Sequence, residues 1–300
     1  MSKIQDAIGK LRTLEERNVS AGNRSPRETT VASLVERASV KPRTPEGDRV
    51  KLDFDLLRAE GLLAPKEQLR RIADQYRIIK RPLLNNVFGG DKRGVEAANR
   101  IMLASALPGD GKTYNCVNLA LSMATEKDIS VLLVDADVSK RHISCLCGLE
   151  RAKGLIDALT DVNIDVGSLI VDTNVDGLAI LPAGRVDEHA TELLASRKMI
   201  RLVEDLSVSR PDRIIIFDSP PLLVTSEARV LASLMGQIVF VICALKTPQA
   251  AVKEAIDGLD RNKAISIILN QAGRGTAFDE YGGYPGHAEY NPVSESRDTY

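Results

Sequence analysis

Neither sign of charge is in excess. Forty Lys and Arg residues against 41 Asp and Glu leave a net charge near −1, so nothing global in the charge points to nucleic acid as a partner. Long apolar runs are also missing. RIIIFD and QIVFVICAL are among the longest, strand-length and far short of the roughly 20 residues that cross a bilayer. The opening MSKIQDAIGKLRTLEER has no apolar core of the secretory kind, and a cytoplasmic location is expected. Cysteine is scarce, with four in 300 residues. Cys116 and Cys243 lie in apolar runs and read as core thiols. HISCLC brings His142, Cys145 and Cys147 together, but the spacing fits no usual zinc pattern and no second ligand pair occurs elsewhere, so a buried helix segment is the expectation. No repeat of solenoid period occurs. What is present is 44% apolar and 27% charged residues, enough for a substantial core in one large domain with appendages.

Residues 1–17 have Ile4, Ala7, Ile8, Leu11 and Leu14 at helical spacing. The polar stretch that follows carries Pro26, Pro42 and Pro45 among scattered charges and reads as a linker. A second amphipathic helix is expected over about 66–80, with Leu69, Ile72, Ala73, Tyr76 and Ile79 on one stripe. From residue 100 the rhythm changes. IMLASA, VLLVDAD, GLAILPAG, RIIIFDSP, QIVFVICAL and ISIILN are continuous apolar runs, separated by helical patterns near 112–125, 189–205, 225–235 and 248–261. Unbroken apolar strands alternating with helices predict a mostly parallel sheet covered on both faces, a doubly wound three-layer α/β fold. Ligands of such sheets bind at the carboxyl ends of the strands.

ALPGDGKT, residues 106–113, stands at such an end, between a predicted strand and a predicted helix. That is the setting of a phosphate-binding loop. Gly109 and Gly111 allow the backbone to wrap closely so that consecutive N–H groups of the loop point at phosphate oxygens. The helix N-terminus adds partial positive charge. Lys112 supplies an ammonium to the β/γ-phosphates and Thr113 a hydroxyl to Mg²⁺. The full pattern places glycine where Ala106 stands. Two more strand ends carry acids: Asp135 and Asp137 in VLLVDAD, and Asp218 in RIIIFDSPP. Each alone reads equally as a helix cap; three beside a phosphate loop suit a magnesium nucleotide.

ALPGDGKT, VLLVDADV and IIIFDSPP resemble the Walker A, A′ and B motifs of bacterial tyrosine kinases, in the P-loop superfamily that also holds the Min and Par ATPases. EHATELLAS after LPAGR is similar to autokinases found with exopolysaccharide and exosortase gene systems. The resemblance implies an ATP- and Mg²⁺-dependent tyrosine autokinase that regulates polysaccharide synthesis or export. It implies that Pro108, Gly109, Asp110, Gly111, Lys112, Thr113 and Tyr114 hold the nucleotide. Asp137 would be the nearest protein ligand of the metal beside Thr113, Asp218 would act through water, and Asp135 would orient or deprotonate the attacking phenol. Asn270, closing ISIILN, resembles the position that reads adenine, though a strand-end Asn is also a common turn residue. The lysine that Min and Par ATPases carry near the loop start is missing from Ala106-Leu107-Pro108, which agrees with the kinases. HRD and DFG are absent. A Min/Par-like ATPase switch without kinase activity is the alternative.

Four of six tyrosines, Tyr281, Tyr284, Tyr290 and Tyr300, fall in the last twenty residues. The stretch around them is rich in Gly, Pro and charge, cannot pack a core, and suits phosphoacceptors that reach a neighbour. Its net charge of −3 over residues 271–300 would grow by about −1.5 to −2 with each phosphate. Asp74, Arg77 and Lys80 in the 66–80 helix resemble the acidic–basic–basic motif by which these kinases form rings; a solvated helix face is the other reading. The resemblance further implies a membrane polysaccharide co-polymerase, a Wzz-like chain-length determinant, as activator. Helix 1–17 would dock on it, or pack on the chain's own domain, giving peripheral membrane association with no span of the chain's own. The expected organisation is an N-terminal helix at 1–17, a flexible linker at 18–60, a P-loop kinase domain at 61–271 and a disordered tail at 272–300.

Overall fold

The computed structural model describes residues 49–89 and 95–272. The expectations for helix 1–17, for the linker up to residue 48 and for the tail tyrosines lie outside them. The chain enters as α1 (Phe54–Ala59) and α2 (Leu69–Phe88), then β1 (Arg100–Ser105), α3 (Lys112–Ala124) and β2 (Ser130–Asp135). Two short helices follow, α4 (His142–Leu146) and α5 (Leu155–Thr160), before β3 (Val171–Asp172), β4 (Leu178–Leu181), α6 (Ala190–Leu194) and α7 (Arg197–Val208). The last third is β5 (Arg213–Asp218), α8 (Ser226–Ser233), β6 (Gln237–Cys243), α9 (Gln249–Asp257) and β7 (Ala264–Asn270).

The strands form one sheet in the order β3-β4-β2-β5-β1-β6-β7. Every pairing is parallel except that of β3 with β4. Strand residues alternate between two cores, as a pleated backbone requires. Met102, Leu132, Val134, Ile215, Phe217, Ile238 and Phe240 face α5 to α9 on one side. Ile101, Leu103, Val131, Leu133, Ile214, Ile216, Val239 and Val241 face α1, α2 and α3 on the other. Both faces are dry, which is why the central strands read as unbroken apolar runs, each such side chain contributing about 1.5–3 kcal/mol on burial. β5 lies between β1 and β2, with Asp135 and Asp218 directly paired in register. The doubly wound fold therefore brings the ends of β1, β2 and β5 together.

Four expectations need correction. Residues 49–60, assigned to the linker, are ordered: Val50 bridges to Thr173, and Leu52 and Leu57 are buried. Asp53 caps α1 by accepting the Asp55 and Leu56 N–H groups at 3.0 Å each. The polar composition around them hid two leucines that cover the sheet beside α3. The helix expected over 189–205 is two, because Ser196 takes an extended conformation and caps α7 through the Met199 N–H. Cys145 is exposed rather than buried on α4. Lys80, expected on an outward face, is only 5% exposed. It reaches under α3, donating to the Ser122 carbonyl at 2.6 Å and Thr125 Oγ1 at 3.1 Å, and pairs with Glu126 at 2.7 Å. Asp74 and Arg77 stay outside, ion-paired with each other on exposed helix.

Candidate functional site

The loop between β1 and α3 is shaped by its own residues. Gly109 and Gly111 take φ of +86° and +97°, a region where side chains are strained. A Cβ on Gly111 would stand 2.0 Å from the Asn270 side chain, so the end of β7 presses directly on the cradle. Asn270 Nδ2 donates to the Asp110 carbonyl at 2.9 Å. Both carboxylate oxygens of Asp110 serve the loop: Oδ2 accepts the Leu107 N–H at 3.0 Å and Oδ1 the Thr247 hydroxyl at 2.7 Å. Helix α3 begins without a side-chain cap, leaving its first N–H groups available to an anion. Asn115 holds the turn from within, donating to the Gly111 carbonyl at 2.9 Å and accepting the Tyr76 hydroxyl at 2.9 Å. Burial raises the Tyr76 phenol far above its ordinary pKa.

Lys112 lies inside the fold, its Nζ donating to Ser105 Oγ at 3.0 Å. The Thr113 hydroxyl donates to Asp218 Oδ2 at 2.8 Å. Asp135 Oδ2 accepts both the Ser144 N–H at 2.8 Å and the Ser144 hydroxyl at 2.6 Å. The other oxygens, Asp135 Oδ1 and Asp218 Oδ1, are buried with no hydrogen-bond partner. Leaving two carboxylate oxygens in that state is costly. The charges answer accordingly. Burial first, then the charge of Asp218's neighbour Asp135, pushes the Asp218 pKa up. Asp135 is pushed up to about 6 by burial, against the pull of its two Ser144 bonds. Burial also lowers the Lys112 pKa, opposed by Asp218 and Asp137. Asp218 and Asp137 thus act on one ammonium while Asp135 acts on Asp218, a surplus of negative charge at the ends of β2 and β5.

That surplus and the two orphan oxygens fit a divalent cation. Among the described residues no group of three or more His, Cys, Asp or Glu side chains converges tightly enough to hold a metal alone. Such a donor set suits Mg²⁺, which takes one or two protein ligands and completes its shell with phosphate and water oxygens.

The structure therefore brings together Gly109, Gly111, Lys112, Thr113, Asp110, Asp135, Asp137, Asp218 and Asn270, all read from sequence. Pro108 stands exposed at the loop tip and Tyr114 is half-buried on the first turn of α3. Ser105, Asn115, Ser144 and Thr247 belong to the same network and were not foreseen. Only the Oγ of Ser105, seven residues before Lys112, carried a signal, as a polar residue ending an otherwise apolar strand.

Residues 98–253, about half the chain, match the family model described as an AAA domain. Over 193 residues the chain is 31% identical to a tyrosine-protein kinase, CpsD of Streptococcus agalactiae, covering 62% of this chain and 82% of that relative. Over 226 residues it is 29% identical to the tyrosine-protein kinase YwqD of Bacillus subtilis, covering 75% and 91%. The solved VpsO kinase domain superposes with a TM-score of 0.57 at 25% identity, over 70% of this chain and all of that one. A lysine-bearing glycine cradle at the end of β1 and acids at the ends of β2 and β5 are what a phosphoryl-transfer enzyme needs, and with these relatives beside it the chain belongs to the bacterial tyrosine-protein kinases.

Proposed function

We propose that this kinase transfers the γ-phosphoryl group of ATP to Tyr281, Tyr284, Tyr290 and Tyr300 of a second copy, and that this self-modification regulates exopolysaccharide synthesis or export. The observation that carries the reading is the convergence of Lys112, Thr113 and the three acids on one cradle, with two carboxylate oxygens left unpaired. Gly109 and Gly111 let the loop wrap the phosphates, and the open N–H groups of α3 donate to them. Lys112 exchanges its bond to Ser105 for the β/γ-phosphate oxygens. Thr113, Asp137 and Asp218 would hold Mg²⁺, which when bound neutralises phosphate charge as the transferred group separates. Asp135 orients the acceptor phenol and takes its proton. A phenol with an ordinary pKa near 10 needs only a late acceptor in a loose transition state. Asn270, fixed against the cradle, is assigned to the base end of the nucleotide.

The tail supplies the acceptors: glycine, proline and acidic residues surround its tyrosines, and such a segment reaches into a neighbour's site. Phosphates added there raise the negative charge of the tail and favour its release from an acid-lined site. Self-association is assigned to the outer face of α2, where Asp74 and Arg77 are exposed beside Ile78. Among the described residues no helix is long and apolar enough to cross a membrane. A membrane polysaccharide co-polymerase of the Wzz-like kind is the partner this reading assigns as activator, and membrane association follows from it. The test is incubation of the purified chain with ATP and Mg²⁺, followed by mapping of modified residues by mass spectrometry. Phosphotyrosine on the tail, lost in Lys112→Met, is expected. ATP hydrolysis without phosphotyrosine in the presence of the co-polymerase would overturn the reading in favour of an ATPase switch.

A further inference from the structure

Ser144 stands on α4, nine residues past Asp135, and it is only 1% exposed. Its N–H and its hydroxyl both donate to a single oxygen, Asp135 Oδ2. The same hydroxyl accepts the Ala183 N–H at 2.9 Å. The Ser144 hydroxyl is thus satisfied as donor and acceptor, and Asp135 Oδ2 is fully engaged. Asp135 Oδ1 is left as the one oxygen of that carboxylate without a partner. A carboxylate turns about its terminal torsion with little intrinsic preference, so two donors on one oxygen decide which oxygen is free and where it points. Arg141 strengthens the frame by donating from Nη1 to the Gly184 carbonyl at 2.9 Å, binding the start of α4 to the loop that follows β4.

We propose that Ser144 is a positioning residue for phosphoryl transfer: it locks Asp135 so that Oδ1 alone is presented to the acceptor phenol. The proposal rests on the assignment of Asp135 as proton acceptor. In the step itself the phenol oxygen forms its bond to the γ-phosphorus, and the bond from that phosphorus to the β–γ bridging oxygen breaks. ADP leaves with the electron pair, and the phenol proton passes to Asp135 Oδ1. Ser144 touches neither nucleotide nor phenol; it acts through the orientation of the carboxylate. It also fastens that orientation to the Pro182–Gly184 segment at the end of β4, so loop and carboxylate move as one unit.

The experiment uses the full chain as enzyme and the inactive Lys112→Met chain as acceptor, with initial rates of tail phosphorylation measured against ATP concentration. Ser144→Ala removes one donor from Oδ2 and leaves the Ala183 N–H unpaired. Ser144→Cys keeps the side-chain volume with a weak donor and serves where the alanine variant fails to fold. Both are expected to lower kcat about tenfold or more while the KM for ATP stays within about twofold, because the cradle is untouched. Unchanged kcat in a folded Ser144 variant, with Asp135→Asn inactive, would overturn the role of Ser144 alone. Retained activity in Asp135→Asn would instead overturn the assignment of Asp135.

Discussion

Two of the places where the described residues bury charge do so in opposite ways. Under the far end of α3, Lys80 is closed in with every donor served: a carbonyl, a hydroxyl and a carboxylate, all within 3.1 Å. At the ends of β2 and β5, Asp135 and Asp218 are buried more deeply, each with an oxygen that meets nothing. The first arrangement is complete in the protein alone and ties α2 to α3. The second leaves two carboxylate oxygens unserved by the described residues. A buried charge with its partners present is architecture; one kept without them costs stability that the rest of the sheet sustains, and it is where the proposed function places a ligand.

Exchange of the two behaviours by mutation gives the sharpest contrast. Asp218→Asn removes a buried charge whose Oδ1 has no hydrogen-bond partner, while keeping an acceptor for Thr113. Tail phosphorylation is expected to fall by about 100-fold or more, while the melting temperature of the ligand-free protein holds or rises. A lower melting temperature would mean that the acid is structural after all. Lys80→Ala should do the reverse. It removes the ammonium's charge-assisted bonds to the Ser122 carbonyl and Thr125 Oγ1, although that carbonyl keeps the Thr125 hydroxyl at 2.8 Å, and the Glu126 partner is half exposed and so contributes less. A loss of about 1–3 kcal/mol is expected in denaturant unfolding, with kcat for transfer unchanged at a temperature where the variant is folded.

A pH series sharpens the comparison further. Folding raises the Asp135 pKa to about 6, above the unfolded value of about 4. A carboxyl group with a raised folded pKa favours the folded state while protonated and loses that advantage as pH rises. The melting temperatures of wild type and Asp135→Asn should therefore lie close together near pH 4 and diverge by pH 7, with the asparagine variant the more stable. Parallel curves would show that Asp135 does not bear this burden. The smallest effect is expected at Tyr76. Its hydroxyl is satisfied by Asn115, so Tyr76→Phe should cost about 1 kcal/mol and leave tail labelling intact. Phosphate found on Tyr76 itself in the folded wild type would contradict its burial.

The same contrast explains what the sequence made legible. The incomplete region announces itself in the chain. Glycines at 109 and 111 and acids ending apolar runs are residue types that a strand-and-helix pattern does not otherwise call for, and all of them converge. The complete region is silent. Lys80 looks like any charged residue at a helical spacing, and only the position of α3 turns it inward. Ser144 is equally mute, because its partner lies on another strand end and its role depends on the path of the chain through Arg141. The helix break at Ser196 was readable as a cap but was overridden by an apolar period that continues across it. Leu52 and Leu57 were masked by polar neighbours, since local composition averages away two side chains that suffice to anchor a segment.

One feature of β7 sets a length scale for assembly. Its final residue, Asn270, is bonded to the cradle through Asp110, so the segment carrying Tyr281, Tyr284, Tyr290 and Tyr300, the acceptors proposed above, follows directly from the rim of that cradle. Tyr281 lies ten residues beyond Gln271 and Tyr300 twenty-nine, which at full extension reach at most about 35 Å and about 100 Å. On the proposed function the tail would serve as a graduated tether. On that reading, which tyrosine a neighbour modifies would measure how far apart two active sites stand, and the pattern of phosphates along the tail would record the spacing between copies.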